Sequence, residues 1–234
     1  MDTNTAAARM LSHSDEFFKY YPVMMAGGIG AFVPNAANVK TYYLTKKDPG
    51  VVPAGGKEGH FGATRPGFLH TKNISSFKMD TYPQPNCSAA LTTHGVPMVN
   101  YNSDLGGKVN LHANVGAMDH YVVDNGADYM TTGLLTGCCF AWHEAGGALW
   151  CIHIRPEGTD GVTLQNMVAL HGHFAAAPGM PLSTFGRNDY EDDYAIILGV
   201  KTPGGWKLYA QTSLDNFRTI KAAWRVYPGQ VVRL

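Results

Sequence analysis

In the stretch TTGLLTGCCFAWHEAGGALWCIHIRP, Thr131 to Pro156, two threonines and a glycine lead to a double cysteine, and the chain returns through Cys151 and His153. A cysteine beside an imidazole is a candidate nucleophile, because the pair makes a thiolate available near neutral pH. A third group that orients the imidazole completes such a site. The same residue types also serve as metal ligands, disulfide halves or core packing, so spacing has to separate these uses.

The segment reads as a β-hairpin turning at Gly146-Gly147. With a two-residue turn, Glu144 opposes Leu149, Trp142 opposes Cys151 and Phe140 opposes His153. Side chains two apart share a face of a strand. Cys138 therefore lies with Phe140, diagonal to His153, at a backbone separation of about 7–8 Å that side chains can bridge. Cys139 points the other way, towards the Ile152 and Ile154 side, and His143 projects with it to solvent. The register predicts a pairing of Cys138, and not of Cys139, with His153.

Gly137 stands just before Cys138 at a strand entrance, where it and Thr136 can open the backbone and leave N–H groups for an oxyanion. Thr132, six residues before Cys138, offers a hydroxyl that can orient the imidazole. Pairing alone leaves a second reading open. Cys138 is then a small buried hydrophobe and His153 a satisfied core residue.

Metal binding fits the remaining clusters poorly. His171-Gly172-His173 would present two ligands on one strand face, but the pattern around it is helical, and helical residues two apart diverge. Cys138, Cys151 and His153 lack a fourth ligand nearby. The glycine-rich AGGIGAF lacks the strand-to-helix setting of a phosphate loop, and YEDDY reads as a solvated turn. No cofactor or metal is expected. Four cysteines allow two disulfides, yet adjacent Cys138 and Cys139 point to opposite faces and a chain of 234 residues needs no staples. Reduced thiols, and a reducing compartment, are the expectation.

The elements that must position these residues follow from the wider pattern. SHSDEFFKYY suggests a short helix with Ser14 as its cap, and VKTYYLT a strand. The part from about Pro22 to Pro97 is loop-rich, punctuated by glycine and proline. VPMVNYNSDLGGKVNLHANV reads as strand, turn, strand, and DYAIILGVKTPGGWKLYAQTS as a hairpin turning at Thr202-Pro203-Gly204-Gly205. AAWRVYPGQVVRL closes with a strand. TLQNMVALHGHFAA places Leu164, Met167, Val168 and His171 at helical spacing. Together these predict one α+β domain over residues 1–234, a mostly antiparallel, mixed β-sandwich with a few flanking helices and its candidate catalytic hairpin at 131–156.

Composition narrows the function classes. Eighteen basic and eighteen acidic residues cancel without long runs of either sign, so no concentrated basic surface marks a direct nucleic-acid binder. No stretch approaches the roughly 20 apolar residues of a membrane span. The N-terminus, polar with an early acid, lacks the pattern of a secretory signal peptide.

LLTGCCFAWHEAGGALWCIHIRP resembles the Leu-Ser-Gly-Cys segment of the bacterial glutamine-deamidase toxins. That family includes Burkholderia lethal factor, nearest in pattern, and the catalytic domain of cytotoxic necrotizing factor. A threonine six residues before the cysteine, as in lethal factor and the chemoreceptor deamidase, falls on Thr132. A second patch, PLSTFGRNDYEDDYAIILGVKTPGGWKLYAQTS, is similar to the segment that follows the hairpin in lethal factor, notably in STFGRN. The two patches cover about a quarter of the chain, and the first ninety or so residues carry no resemblance. The motif here is Leu-Thr-Gly-Cys, the hairpin is longer than in lethal factor, and Cys139 and Cys151 have no counterpart.

The resemblance implies the cytotoxic-necrotizing-factor-like deamidase fold, with Cys138 as nucleophile, His153 as acid and base, and Thr132 as its orienting group. It implies a monomeric toxin or virulence effector that converts one glutamine of a host protein to glutamate. It would be made in a bacterial cytoplasm, secreted or injected without a signal peptide, and active in the host cytosol. The target would be a translation-initiation RNA helicase, inhibiting translation. The alternative is deamidation or transglutamination of Rho-family GTPases. A reading of another class is a non-enzymatic β-sandwich binding module whose cysteines are core residues.

Overall fold

The structure is a computed structural model that describes residues 1–25, 39–47, 76–100, 117–118, 121–123, 126–156, 158–174, 177–191, 194–213 and 220–234. The segments AGGIGAF and DPGVVPAGG, and most of the strand-turn-strand expected after Met98, lie outside these residues.

Two sheets and two helical layers build the α+β domain. The large sheet has nine strands in the order β1-β3-β2-β4-β8-β13-β14-β15-β16. These are β1 (Val23–Met25), β2 (Val39–Lys47), β3 (Ser76–Asp80), β4 (Leu91–Val96), β8 (Tyr129–Thr132), β13 (Tyr194–Thr202), β14 (Gly205–Ser213), β15 (Ala222–Tyr227) and β16 (Val232–Arg233). The smaller sheet runs β12 (Ser183–Phe185), β9 (Cys139–Ala145), β10 (Ala148–Arg155), β5 (Met98–Asn100), with β7 (Tyr121–Val122) also pairing β10. A short pair joins β6 (Ala117–Met118) to β11 (His173–Phe174). Most pairings are antiparallel; β1–β3, β4–β8, β5–β10 and β6–β11 are parallel.

The side-chain period of two decides the layering. Along β13, Ala195 and Ile197 face the small sheet, packing with Phe140, Trp142, Cys151 and Phe185 in the core between the sheets. Ile196, Leu198 and Val200 face away, into a second core. That outer core is covered by α1 (Thr3–Ser12) and α2 (Ser14–Tyr20), through Ala6, Met10, Phe17 and Phe18. A third core under the far face of the small sheet joins Cys139, Ala141, Ile152 and Ile154 to Leu164 and Val168 of α3 (Gly161–His171). Each large apolar side chain so buried contributes about 1.5–3 kcal/mol. β13 is thus buried on both faces, which explains its unbroken apolar run.

Local chemistry sets the element ends. Gly146 and Gly147 both have positive φ, 60° and 75°, and form the tight turn that matches strand twist, with Ala145 opposite Ala148. Asp2 caps α1 and Asp160 caps α3, each accepting the N–H three residues on, at 2.9 and 2.8 Å. Such caps are worth about 1 kcal/mol.

Two expectations need correction. Ser14 does not cap α2; it is the first helical residue and its Oγ donates at 2.8 Å to Tyr209 Oη, whose own proton goes to the Asp15 carboxylate. His171, expected on the packed face of α3, is exposed in its last turn, while Leu164 and Val168 are buried. Among the described residues no helix is long and apolar enough to cross a membrane.

Candidate active site

One bend in the chain brings the two sheets to a common point. β4 ends at Val96 in the large sheet, Pro97 turns the chain, and β5 begins at Met98 in the small sheet. Val96 pairs with Thr132 of β8, and Met98 pairs with His153 of β10. A strand that changes sheets through a bend is how sandwich corners are made. Here that corner seats Thr132 and His153 against each other in the layer between the sheets.

Thr132 Oγ1 lies 2.8 Å from the Val96 carbonyl oxygen and 2.7 Å from His153 Nδ1. A carbonyl oxygen only accepts, so the single hydroxyl proton goes to Val96. The hydroxyl must then accept from His153 Nδ1–H, which leaves the lone pair of a neutral imidazole on Nε2. Both residues are fully buried. Nε2 has no hydrogen-bond partner among the described residues. Burial without a counter-charge holds the imidazole pKa down, from 6.5 to about 3, so the ring is neutral at physiological pH.

The hairpin register agrees with its expected form: Glu144 opposes Leu149, Trp142 opposes Cys151 and Phe140 opposes His153. Cys138 sits with Phe140, Trp142 and Cys151 in the inter-sheet core, while Cys139 belongs to the core beneath α3. Cys138 and His153 thus share a face and a layer. All four cysteines are free thiols. Cys139 and Cys151 are fully buried, and both are pushed far up by burial. Their role is packing. His143, expected in solvent, is half-buried with its ring edge-on to Trp150 at 6.3 Å.

The loop carrying Cys138 is held from two sides. Gly137 has φ of 127°, a conformation open to glycine and strained for other residues. Gly161, the first residue of α3, approaches so closely that a Cβ there would meet the Gly137 carbonyl oxygen at 2.3 Å. From the other side comes Tyr190, the last residue of α4 (Arg187–Tyr190). Its Oη accepts the Gly137 N–H at 2.8 Å and donates to the Cys138 carbonyl at 2.8 Å, bracketing the residue by its backbone. Behind α4, the Gln165 side chain of α3 donates to Asp189 at 2.6 Å and accepts the Asn188 N–H at 2.8 Å, so the two helices form one support.

Two sequence expectations change here. Gly137 cannot offer its N–H to an oxyanion while Tyr190 holds it, so its role is conformational; Thr136, next to it, is exposed and its backbone N–H acts to lower the Cys138 thiol. Nor is a thiolate ready at neutral pH. Burial pushes the Cys138 thiol up more than the Thr136 N–H and the Arg155 charge lower it, and Cys138 is only 3% exposed. The resting pair is a neutral thiol and a neutral imidazole, with no hydrogen bond at Nε2.

Tyr190 and the Val96–Pro97 bend escape a sequence reading. YEDDY gives Tyr190 the look of a surface turn, although it is 1% exposed. The available hint is that Tyr190 stands two residues after STFGRN, inside the second patch of resemblance. β12, within that patch, pairs with β9 from Ser183–Trp142 to Phe185–Phe140. Both patches thereby meet at one site.

No cluster of three or more His, Cys, Asp or Glu side chains suited to a metal occurs among the described residues. An open groove of ≈ 730 Å³ lies elsewhere, between the α1–α2 corner and the β13–β14 turn, with Asp15, Glu16, Lys201 and Lys207 among its walls. None of Thr132, Cys138 or His153 lines it. No protein-family model and no curated protein matches the chain.

Proposed function

We propose that the protein is a cysteine-dependent protein-glutamine deamidase of the bacterial toxin type. The observation that carries this reading is the Thr132–His153 hydrogen bond, which leaves Nε2 as an unpartnered base on the face that Cys138 shares. Most buried polar side-chain atoms are hydrogen-bonded, so the bare Nε2 of the fully buried His153 calls for an explanation, which proton exchange with Cys138 supplies. The meeting of the Leu-Thr-Gly-Cys hairpin with the STFGRN patch also supports it, as does the α+β sandwich, which is compatible with the cytotoxic-necrotizing-factor-like fold.

The chemistry starts from the neutral pair. As the carboxamide carbon of a glutamine side chain approaches, Cys138 Sγ bonds to it and the thiol proton passes to His153 Nε2. The imidazolium then protonates the leaving nitrogen, the C–N bond breaks, and ammonia departs. Neutral again, His153 takes a proton from water as the water oxygen bonds to the thioester carbon; the C–S bond then breaks, the imidazolium returns that proton to the sulfur, and glutamate and free thiol are released. Thr132 holds the ring in the Nδ1–H tautomer throughout. The backbone N–H of Cys138 is the donor proposed for the oxyanion. No cofactor enters the scheme.

By resemblance the substrate is a host protein, a translation-initiation RNA helicase, with Rho-family GTPases as the alternative target. The producing cell would be bacterial, the site of action the host cytosol and the working form a monomer. One added negative charge at a functional glutamine accounts for toxicity without further chemistry.

The near-complete burial of Cys138 favours a second reading, a binding module with packing thiols. The test is incubation of the protein with a purified translation-initiation helicase, a Rho-family GTPase and whole cytosol, with mass spectrometry of glutamine-containing peptides. Conversion of one glutamine to glutamate by the wild-type protein and not by Cys138→Ser supports the enzyme. Absence of conversion, with Cys138 as slow to alkylate as Cys139 and Cys151, supports the module.

A further inference from the structure

Arg155 is exposed at the end of β10 and has no ion-pair partner among the described residues. Its place in the ladder is defined from both sides. Ile154 pairs with Cys139, and two steps further out a Cβ on Gly137 would touch Pro156 Cγ at 3.8 Å. Between these two contacts, Arg155 stands opposite Cys138. Opposed residues of an antiparallel pair project to the same face, about 4.5–5.5 Å apart at the backbone. Cys138 thus has His153 on its diagonal and Arg155 directly across.

We propose that the Arg155 guanidinium is the charge partner of Cys138, holding the negative charge that forms on the sulfur when its proton leaves. The need is specific to this site. Among the described residues, the other titratable or charged groups around Cys138 are His153 and the buried Cys151 thiol on β10, Cys139 behind it, Asp189, and Tyr190 with Arg187 over its ring at 5.5 Å. The Asp189 carboxylate is held by Gln165 and the Gly186 N–H. His153 is neutral before proton transfer and Cys139 is a buried thiol. The Tyr190 hydroxyl is committed to backbone groups. Arg187 lies over the Tyr190 ring, and the cation that acts on the Cys138 thiol is Arg155. Arg155 is always charged and stands at the rim, where its head keeps its hydration while its field reaches the buried sulfur. The charge of Arg155 accordingly acts to lower the thiol against the effect of burial. This inference rests on Cys138 being the nucleophile of the proposed reaction.

The experiment is alkylation of the full chain by neutral iodoacetamide across pH, with each cysteine followed by peptide mass spectrometry. Wild type, Arg155→Lys and Arg155→Gln are compared. Loss of the charge should move the Cys138 inflection up by about half a pH unit or more, and lysine should restore most of it. Anionic iodoacetate should lose several-fold in its rate relative to iodoacetamide in Arg155→Gln. Raising salt should move the wild-type inflection upwards, a readout that needs no variant. Superimposable profiles for the three proteins would overturn the proposal, as would equal shifts in the lysine and glutamine variants. A Cys138 inert at every pH in the wild type would also overturn it. Alkylation reads the thiol whether or not glutamine is hydrolysed, so an active deamidase without the shift refutes Arg155 alone.

Discussion

Thr132 Oγ1 and His153 Nδ1 meet at 2.7 Å across the gap between the two sheets, and the threonine hydroxyl donates its own hydrogen bond to the Val96 carbonyl. One hydroxyl therefore satisfies two buried groups and selects the tautomer. Thr132→Val keeps the volume but strands the Nδ1–H and the Val96 carbonyl. The expected stability loss is about 1–3 kcal/mol. Turnover should fall about tenfold or more, since a bond of about 0.5–1.5 kcal/mol is lost and the wrong tautomer becomes accessible. Thr132→Ser should recover most of both. Melts and deamidation rates on one preparation decide; an unchanged rate in folded Thr132→Val removes the residue from the site.

Cys138 and Cys139 are neighbours in sequence with opposite fates. Cys138→Ser should fold and lose all turnover, because a serine hydroxyl is not appreciably ionised and a neutral buried imidazole is a weak base for it. Cys139→Ser and Cys139→Ala should keep turnover per folded molecule, since the side chain packs under α3, with a stability cost of about 1–2 kcal/mol for the altered core. An active Cys138→Ser beside a dead Cys139→Ser would reverse the assignment.

Tyr190 tests whether the backbone at the nucleophile must be held. Tyr190→Phe keeps the ring, stacked on Phe185 at 6.1 Å, and removes the hydroxyl that joins Gly137 to Cys138. Stability should drop by about 1–3 kcal/mol for the unsatisfied pair. The rate constant kcat should fall more than KM changes, because the loss concerns placement of the sulfur. An unaltered kcat would reduce Tyr190 to packing.

Acid should unfold the protein partly through His153. Its pKa is about 3 folded against 6.5 in the unfolded chain, so between these values the unfolded state binds a proton that the folded state refuses. Stability is therefore full above about pH 6.5 and is lost as pH falls towards 3. Between pH 7 and 4.5 this one group accounts for about 2–3 kcal/mol. Urea titrations of wild type and His153→Gln over that range should show a shallower decline in the variant. Parallel declines would show that another group carries the acid response.

The hairpin was legible in the sequence because its causes are local. Gly146 and Gly147 supply the two positive φ angles of the turn, and a period of two then assigns every side chain to a face. The separation of Cys138 from Cys139 follows from that alone. The strand hairpin at Pro203-Gly204 and the helix over Leu164 and Val168 were equally plain from spacing and turn chemistry. Of Thr132, sequence could say that a hydroxyl lies six residues upstream; β8 belongs to the other sheet, and only packing sets what it reaches.

The chain by itself determined the identities of the chemical groups, the register of β9 against β10, and the face each group takes. Tertiary structure decided the rest. The bend at Pro97 joined two sheets so that Thr132 could touch His153, and a tyrosine 52 residues from Cys138 closed on its backbone. It also decided the charge state, replacing the thiolate expected near neutral pH by a neutral thiol beside a neutral imidazole. Face and register follow from backbone geometry over a few residues. Burial and cross-sheet contact depend on which distant surfaces exclude water, and no local pattern encodes that.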